Sequence, residues 1–271
     1  MRTFAVLFAL ALLTPALSLA QSSPPGAMAA AIDRTTAEIL PQVVTWRRDF
    51  HRHPELGLQE TRTAKVIADH LRTLGMELQT GIAGTGVVGI LKGATPGKVV
   101  ALRSDMDGLP VTEQVDLPFK STERAMWDGQ EVGVMHACGH DNHMAILLGA
   151  ATVLARMRNE PPGTVKFIFQ PGEEGPGGAE PMVKAGVLEY PKVDAVFGLH
   201  AFPFTAGAIV YRSGPVHDRD QVRGGRPCDG DRRLRSGLPG DAQRPRADRA
   251  HGAHARCQSA CARSRALRWT T

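Results

Sequence analysis

Between residues 35 and 214 the chain switches repeatedly between helical and strand periodicity, and few architectures accept that alternation. Ile39, Leu40, Val43, Val44 and Trp46 recur at helical spacing, as do Ala64, Ile67, His70, Leu71 and Leu74. Gly86 to Leu91 and Val99 to Leu102 have strand character, and the turn Gly93 to Gly97 predicts that they pair as a hairpin-like unit. A helical run from Asn142 to Met157 precedes a continuous apolar strand, Val165 to Phe169. A short helix near Ala179 to Ala185 then leads to the strand Ala195 to Leu199. Strands separated by helices predict an α/β fold with a mostly parallel central sheet flanked by helices on both faces.

Polar residues cluster where these strands end. Asp105 and Asp107 follow the Val99 strand, Glu173 and Glu174 follow the Val165 strand, and His200 closes the Ala195 strand. In open α/β sheets the carboxyl edge is where ligands bind, because strand ends and loops converge there. Cys138 and His140, separated by Gly139, lie just before the Asn142 helix and can face the same crevice, the glycine allowing a tight backbone path. Thiolate with imidazole suits zinc or another late divalent ion, and there are too many ligands for one tetrahedral ion. A pair of ions about 3.5–4 Å apart accommodates them and can act on the carbonyl of an amide. Neighbouring side chains of an extended segment diverge, so one of Glu173 and Glu174 can hold metal while the other moves a proton. Singly, each of these signals reads as readily as a buried small residue, a helix cap or a solvated turn.

The ends of the chain read differently from its middle. Met1-Arg2, the apolar run Phe4 to Leu13 and Ser18-Leu19-Ala20 form a signal-peptide pattern over residues 1–20, so the protein is expected to be exported, periplasmic or secreted. That apolar run is too short for a membrane span, and no membrane association is expected after cleavage. Residues 21–34, rich in Ser, Pro and Ala, read as a flexible leader. Four cysteines, three of them beyond residue 216, make no disulfide framework.

Residues 216–271 hold 13 Arg, no Lys, 6 Asp and no Glu, so the formal charge of +5 belongs to this tail. The tail has no Ile, Phe, Met or Tyr and is read as disordered. Binding of nucleic acid or another anionic surface through its arginines is the alternative function. No nucleic-acid partner is expected, because Trp269 is its one aromatic residue and export removes the chain from most nucleic acid.

Five motifs together carry a resemblance. Arg47 to Leu56 (RRDFHRHPEL), Ala101 to Pro110 (ALRSDMDGLP), His136 to Asp141 (HACGHD), Gln170 to Gly175 (QPGEEG) and Gly198-Leu199-His200 resemble, in order and spacing, the M20 metallopeptidase family. The similarity is to its amidohydrolase branch of hippurate hydrolases and N-acyl-amino-acid amidohydrolases. It implies a zinc-peptidase-like catalytic domain over residues 35–215 and two divalent ions, Zn, Mn, Co or Ni. It further implies Cys138, His140, Glu174 and His200 as metal ligands, Glu173 as general base, and Asp107 as the acid orienting a ligand from behind. Asp105 lies outside the ligand set, and the motif around His51 and His53 shapes the fold. Expected substrates are small N-acyl amino acids or dipeptides.

The family continues after a Gly-Pro into a lid and dimerisation domain and forms homodimers. Here that domain is missing after Pro215, so the catalytic domain is expected to be partial and impaired, or an inactive metal-binding remnant. The residues after Pro215 read as an out-of-frame translation. Shifted by one base, the codons of His217 to Cys228 can encode Met-Thr-Ala-Thr-Arg-Phe-Glu-Val-Val-Val-Arg-Ala, a polar start followed by a strand.

Overall fold

A computed structural model describes residues 25–202 and residue 209. The signal-peptide pattern and the segment 216–271 lie outside the described residues. The chain divides into two compact units after Ala201, and the architecture that follows is that of the first.

Helix α1, Pro25–Arg52, starts earlier than the sequence reading places it. Residues 25–34 form its first turns and are no irregular leader. Ala27, Ala29, Ala30 and Ala31 are strong helix formers, and a proline is tolerated in the first turn because its missing N–H has no intrahelical acceptor there. The remaining helices are α2, Thr61–Thr73, α3, His140–Arg156, and the short α4, Ala179–Lys184. They fall close to their expected places.

The strands are β1 (Glu77–Ile82), β2 (Gly86–Lys92), β3 (Val99–Asp105), β4 (Arg124–Trp127), β5 (Gln130–Gly133), β6 (Thr164–Gln170) and β7 (Ala195–Gly198). Five of them form a sheet in the order β1-β2-β6-β3-β7. The α/β class stands, but the sheet is mixed: β6 and β7 run parallel to β3, whereas β1–β2 and β2–β6 are antiparallel.

Strands β2 and β3 do not form the expected hairpin. β6 lies between them, with Val88 opposite Ile168 on one side and Leu102 opposite Phe167 on the other. The turn after β2 bonds outward, Gly93 N–H to Gly163 O at 2.8 Å and Gly163 N–H to Thr95 O at 2.8 Å, and so seats the start of β6. β6 is buried from Lys166 to Gln170, and a place between β2 and β3 gives it a hydrogen-bonded neighbour along each edge while helices and loops cover its faces.

Alternation along the strands serves two cores. Val87, Leu91, Phe167 and Phe169 pack with Phe50, Leu71 and Leu148 from the three long helices. Val88, Ile90, Ala101 and Ile168 meet Met182 of α4 and Val187 on the other face. Gly89 permits the close approach of α2, since a Cβ there would lie 3.0 Å from Leu71 Cδ1. Lys166 interrupts the apolar run of β6. Its buried ammonium donates to the carbonyls of Val187 and Pro191 and ties the loop before β7 to the sheet. Among the described residues β7 is an edge strand, as β1 is at the other side of the sheet, and it is exposed along its length.

Candidate metal centre

Four short segments deliver the site: the loops at the carboxyl ends of β3, β6 and β7, and the turn that opens α3. Gly139 takes a left-handed conformation, φ 86°, and α3 starts at His140, two residues before the expected Asn142. That turn lets Cys138 and His140 face one point. Glu60, fully buried at the start of α2, accepts from Gly172 N–H at 2.8 Å and from Thr85, and so fixes the loop that carries Glu173 and Glu174. β7 ends at Gly198, two residues before His200, which therefore sits on the following loop.

The donors converge. The ligand atoms of Cys138, His140 and Glu174 all lie within 4.8 Å of one another, and so do those of Asp105, His140, His143 and His200. Cys138 Sγ is 3.5 Å from His200 Nε2. His140 is fully buried, and its Nδ1–H donates to the Asp107 carbonyl at 2.8 Å with the Asp107 carboxylate 3.3 Å away. Asp107 also accepts from Glu174 N–H at 2.9 Å, so it stands behind two of the candidate ligands. On the far side of the ring, His140 Nε2 faces Asp105 Oδ2 at 3.7 Å, Glu174 Oε1 at 3.7 Å and Glu173 Oε2 at 3.9 Å. His140 Nε2 and Glu174 Oε1 are buried with no hydrogen-bond partner. Each such orphan costs about 1–3 kcal/mol, which an ion held between them returns. Thiol, imidazole and carboxylate form a donor set that suits zinc and its neighbours, so the residues fit a metal.

The electrostatics favour positive charge at the same point. Burial disfavours the charged ring of His140, but the Asp107 bond and the surrounding carboxylates outweigh it and push the ring up to about 9. Burial, then the neighbouring Glu174 and Glu173, push the Cys138 thiol far above its ordinary range. Burial also opposes ionisation of Asp105, yet the His143 bond and the charges of His140 and Arg103 hold its carboxyl low. Burial followed by the Glu174 charge raises Glu173. The two glutamates differ in access: Glu173 is 38 % exposed and Glu174 17 %.

His143 is the site residue that sequence reasoning missed. It stands one helical turn after His140 on α3, a spacing that puts both rings on the same face. Its Nδ1 is 2.6 Å from Asp105 Oδ1. His51 lies elsewhere in the fold: its two ring nitrogens contact Asp141 at 2.8 Å and Glu113 at 3.0 Å, which fastens α1 to the start of α3.

Residues 101–257 match the model of peptidase family M20/M25/M40, and the chain belongs to that family. It is 46 % identical over 183 residues to thermostable carboxypeptidase 1 of Saccharolobus solfataricus, covering 66 % of this chain and 44 % of that protein. It is 42 % identical over 187 residues to the N-acyl-L-amino acid amidohydrolase of Geobacillus stearothermophilus, covering 68 % and 48 %. The crystal structure of Bacillus subtilis YXEP, described as a dinuclear metal binding peptidase of the M20 family, superposes with a TM-score of 0.54 at 41 % identity, covering 65 % and 44 %. The chain thus spans less than half the length of these relatives.

Proposed function

We propose that residues 35–202 form the metal-binding and proton-transferring part of an amidohydrolase that cleaves the amide of N-acyl amino acids or dipeptides. The observation that carries this reading is the pair of buried, unpartnered atoms His140 Nε2 and Glu174 Oε1 beside Cys138. Cys138, His140, Glu174 and His200 hold two divalent ions, Zn, Mn, Co or Ni. When bound, such ions acidify water and polarise a carbonyl.

The protein's own groups do the rest. Asp107 fixes the His140 tautomer so that Nε2 faces inward. Glu173, the more exposed of the two glutamates, takes the proton of the attacking water as its oxygen bonds to the amide carbon. The same carboxyl returns that proton to the leaving nitrogen as the C–N bond breaks. Export to the periplasm or beyond belongs to the same proposal, on the strength of residues 1–20.

Metal content tests the ligand set. The purified 271-residue chain is expected to retain divalent ions after dialysis, and a Cys138→Ser/His140→Ala variant to lose them; equal content in both overturns the assignment. Uptake displaces protons from His140 and the Cys138 thiol, so apparent affinity rises with pH. Hydrolysis of an N-benzoyl amino acid is expected to be slow in this chain and faster in a version read in the shifted frame from Val216. Equal rates would mean that residues 1–215 suffice.

A further inference from the structure

His143 has the chemistry of a metal ligand and lies beside two of the proposed ones, with its ring centroid 4.6 Å from that of His200 and 5.4 Å from that of His140. Both of its nitrogens are nevertheless occupied. Nδ1 meets Asp105 Oδ1 at 2.6 Å, and Nε2 accepts from the backbone N–H of Ala201 at 2.7 Å. An acceptor at Nε2 fixes the proton on Nδ1, where Asp105 receives it. No lone pair is left for an ion.

These bonds continue in both directions. Asp105 Oδ2 accepts from Arg103 Nη1 at 2.8 Å, and Arg103 Nε donates to Gln170 Oε1 at 2.9 Å, so the inner end is anchored in the neighbouring strands β3 and β6. At the outer end the Ala201 carbonyl accepts from His200 Nδ1 at 2.8 Å. That bond turns His200 Nε2 inward, 3.5 Å from Cys138 Sγ. Ala201 also packs against the turn between Cys138 and His140, where a Cβ added to Gly139 would lie 3.5 Å from the Ala201 methyl. The His200 loop follows an exposed edge strand, so this bracket supplies order that the sheet does not.

We propose that His143 is a positioning residue: through Asp105 on one side and the Ala201 amide on the other, it holds the loop that aims His200 at the metal centre. It acts through His200 and ligates no ion itself. The proposal rests on the metal-centre reading above, and outer partners of this kind are worth about 10- to 100-fold in metal affinity.

The test is Co(II) titration of the 271-residue chain, followed by calorimetry and by the thiolate-to-Co(II) absorption band. His143→Ala and His200→Ala are expected to weaken Co(II) binding by similar factors of about 10–100. The double variant should be no weaker than either single one, because both remove the same contribution. His143→Gln keeps an acceptor for the Ala201 amide and should bind within a few-fold of the unsubstituted chain. With the thiolate band present, multiplying losses in the double variant overturn the positioning role alone. So does a His143→Gln chain as weak as His143→Ala. An unsubstituted chain with no thiolate band overturns the metal-centre reading and the positioning role with it.

Discussion

Glu173→Gln is expected to lower the turnover of an N-acetyl or N-benzoyl amino acid by about 10²–10⁴-fold, the usual worth of a general base, while metal content stays at the unsubstituted level. The amide keeps the size and polarity of the carboxyl but cannot take up the proton of the attacking water. Metal content is expected to hold because it is Glu174, not Glu173, whose carboxylate clusters with the ligand atoms of Cys138 and His140. A raised Glu173 carboxyl is also better matched to a base that must later act as an acid. The measurement is kcat alongside elemental analysis, made on the shifted-frame version as well as the 271-residue chain. Unchanged turnover removes Glu173 from the mechanism, and a parallel loss of metal moves it into the ligand set.

The second large effect concerns stability. His51 is buried with carboxylates at both ring nitrogens, and Arg47 Nε reaches the same Asp141 oxygen at 2.9 Å. The Asp141 bond is the main cause that raises His51 above its ordinary 6.5, burial opposes it, and Glu113 adds to the rise. Burial works against ionisation of Asp141 and Glu113, but their bonds to His51 hold both carboxyls low. His51→Leu leaves two buried carboxylates without their shared cation. Removing one partner of such a buried pair costs about 3–5 kcal/mol, a large part of the stability of an ordinary domain.

The pH dependence follows from the signs. A raised histidine contributes fully below its ordinary value of 6.5 and loses that contribution as pH climbs through its higher folded value. Depressed carboxyls contribute above their ordinary values of 3.8 and 4.5 and lose that contribution on acidification. The difference between His51→Leu and the unsubstituted chain should therefore be widest between pH 4.5 and 6.5 and narrow at alkaline pH. Urea unfolding at several pH values measures it. A difference that does not change into the alkaline range would mean a neutral imidazole.

The candidate ligands were legible because Glu174 and His200 follow apolar runs and Cys138 and His140 flank a glycine just before a helical run. Cys138, His140, Glu174 and His200 could be assigned to one edge without knowing the order of the strands. His143 was not legible, since within α3 a histidine beside buried Met144 and Leu147 reads as part of a helical face. Its partner Asp105 sits on a strand, and only the packing of α3 on β3 brings them together. Glu113 lies in an irregular stretch and meets His51 only through folding.

Strand order was illegible for a related reason. Nearness in sequence favours pairing β2 with β3, whereas burial on both faces favours β6 between them, and burial prevails. β1 and the hairpin β4–β5 are largely exposed and carry little apolar signal. The hairpin did have a turn signature in Asp128-Gly129, whose φ values of 50° and 75° suit a two-residue turn.

The insertion of β6 between two older neighbours also sets the timing of assembly. As the chain leaves the ribosome, β2 has only β1 to pair with and β3 has no partner, because both of its neighbours, β6 and β7, are encoded later. Until residue 170 has emerged, one edge of β2 and both edges of β3 stand open, and β6 must reach back past β4, β5 and α3 to close two of them. Such distant pairings form slowly and leave intermediates that stick to one another. The candidate metal-binding edge, which depends on the ends of β3, β6 and β7 together, is therefore among the last of the described parts to exist.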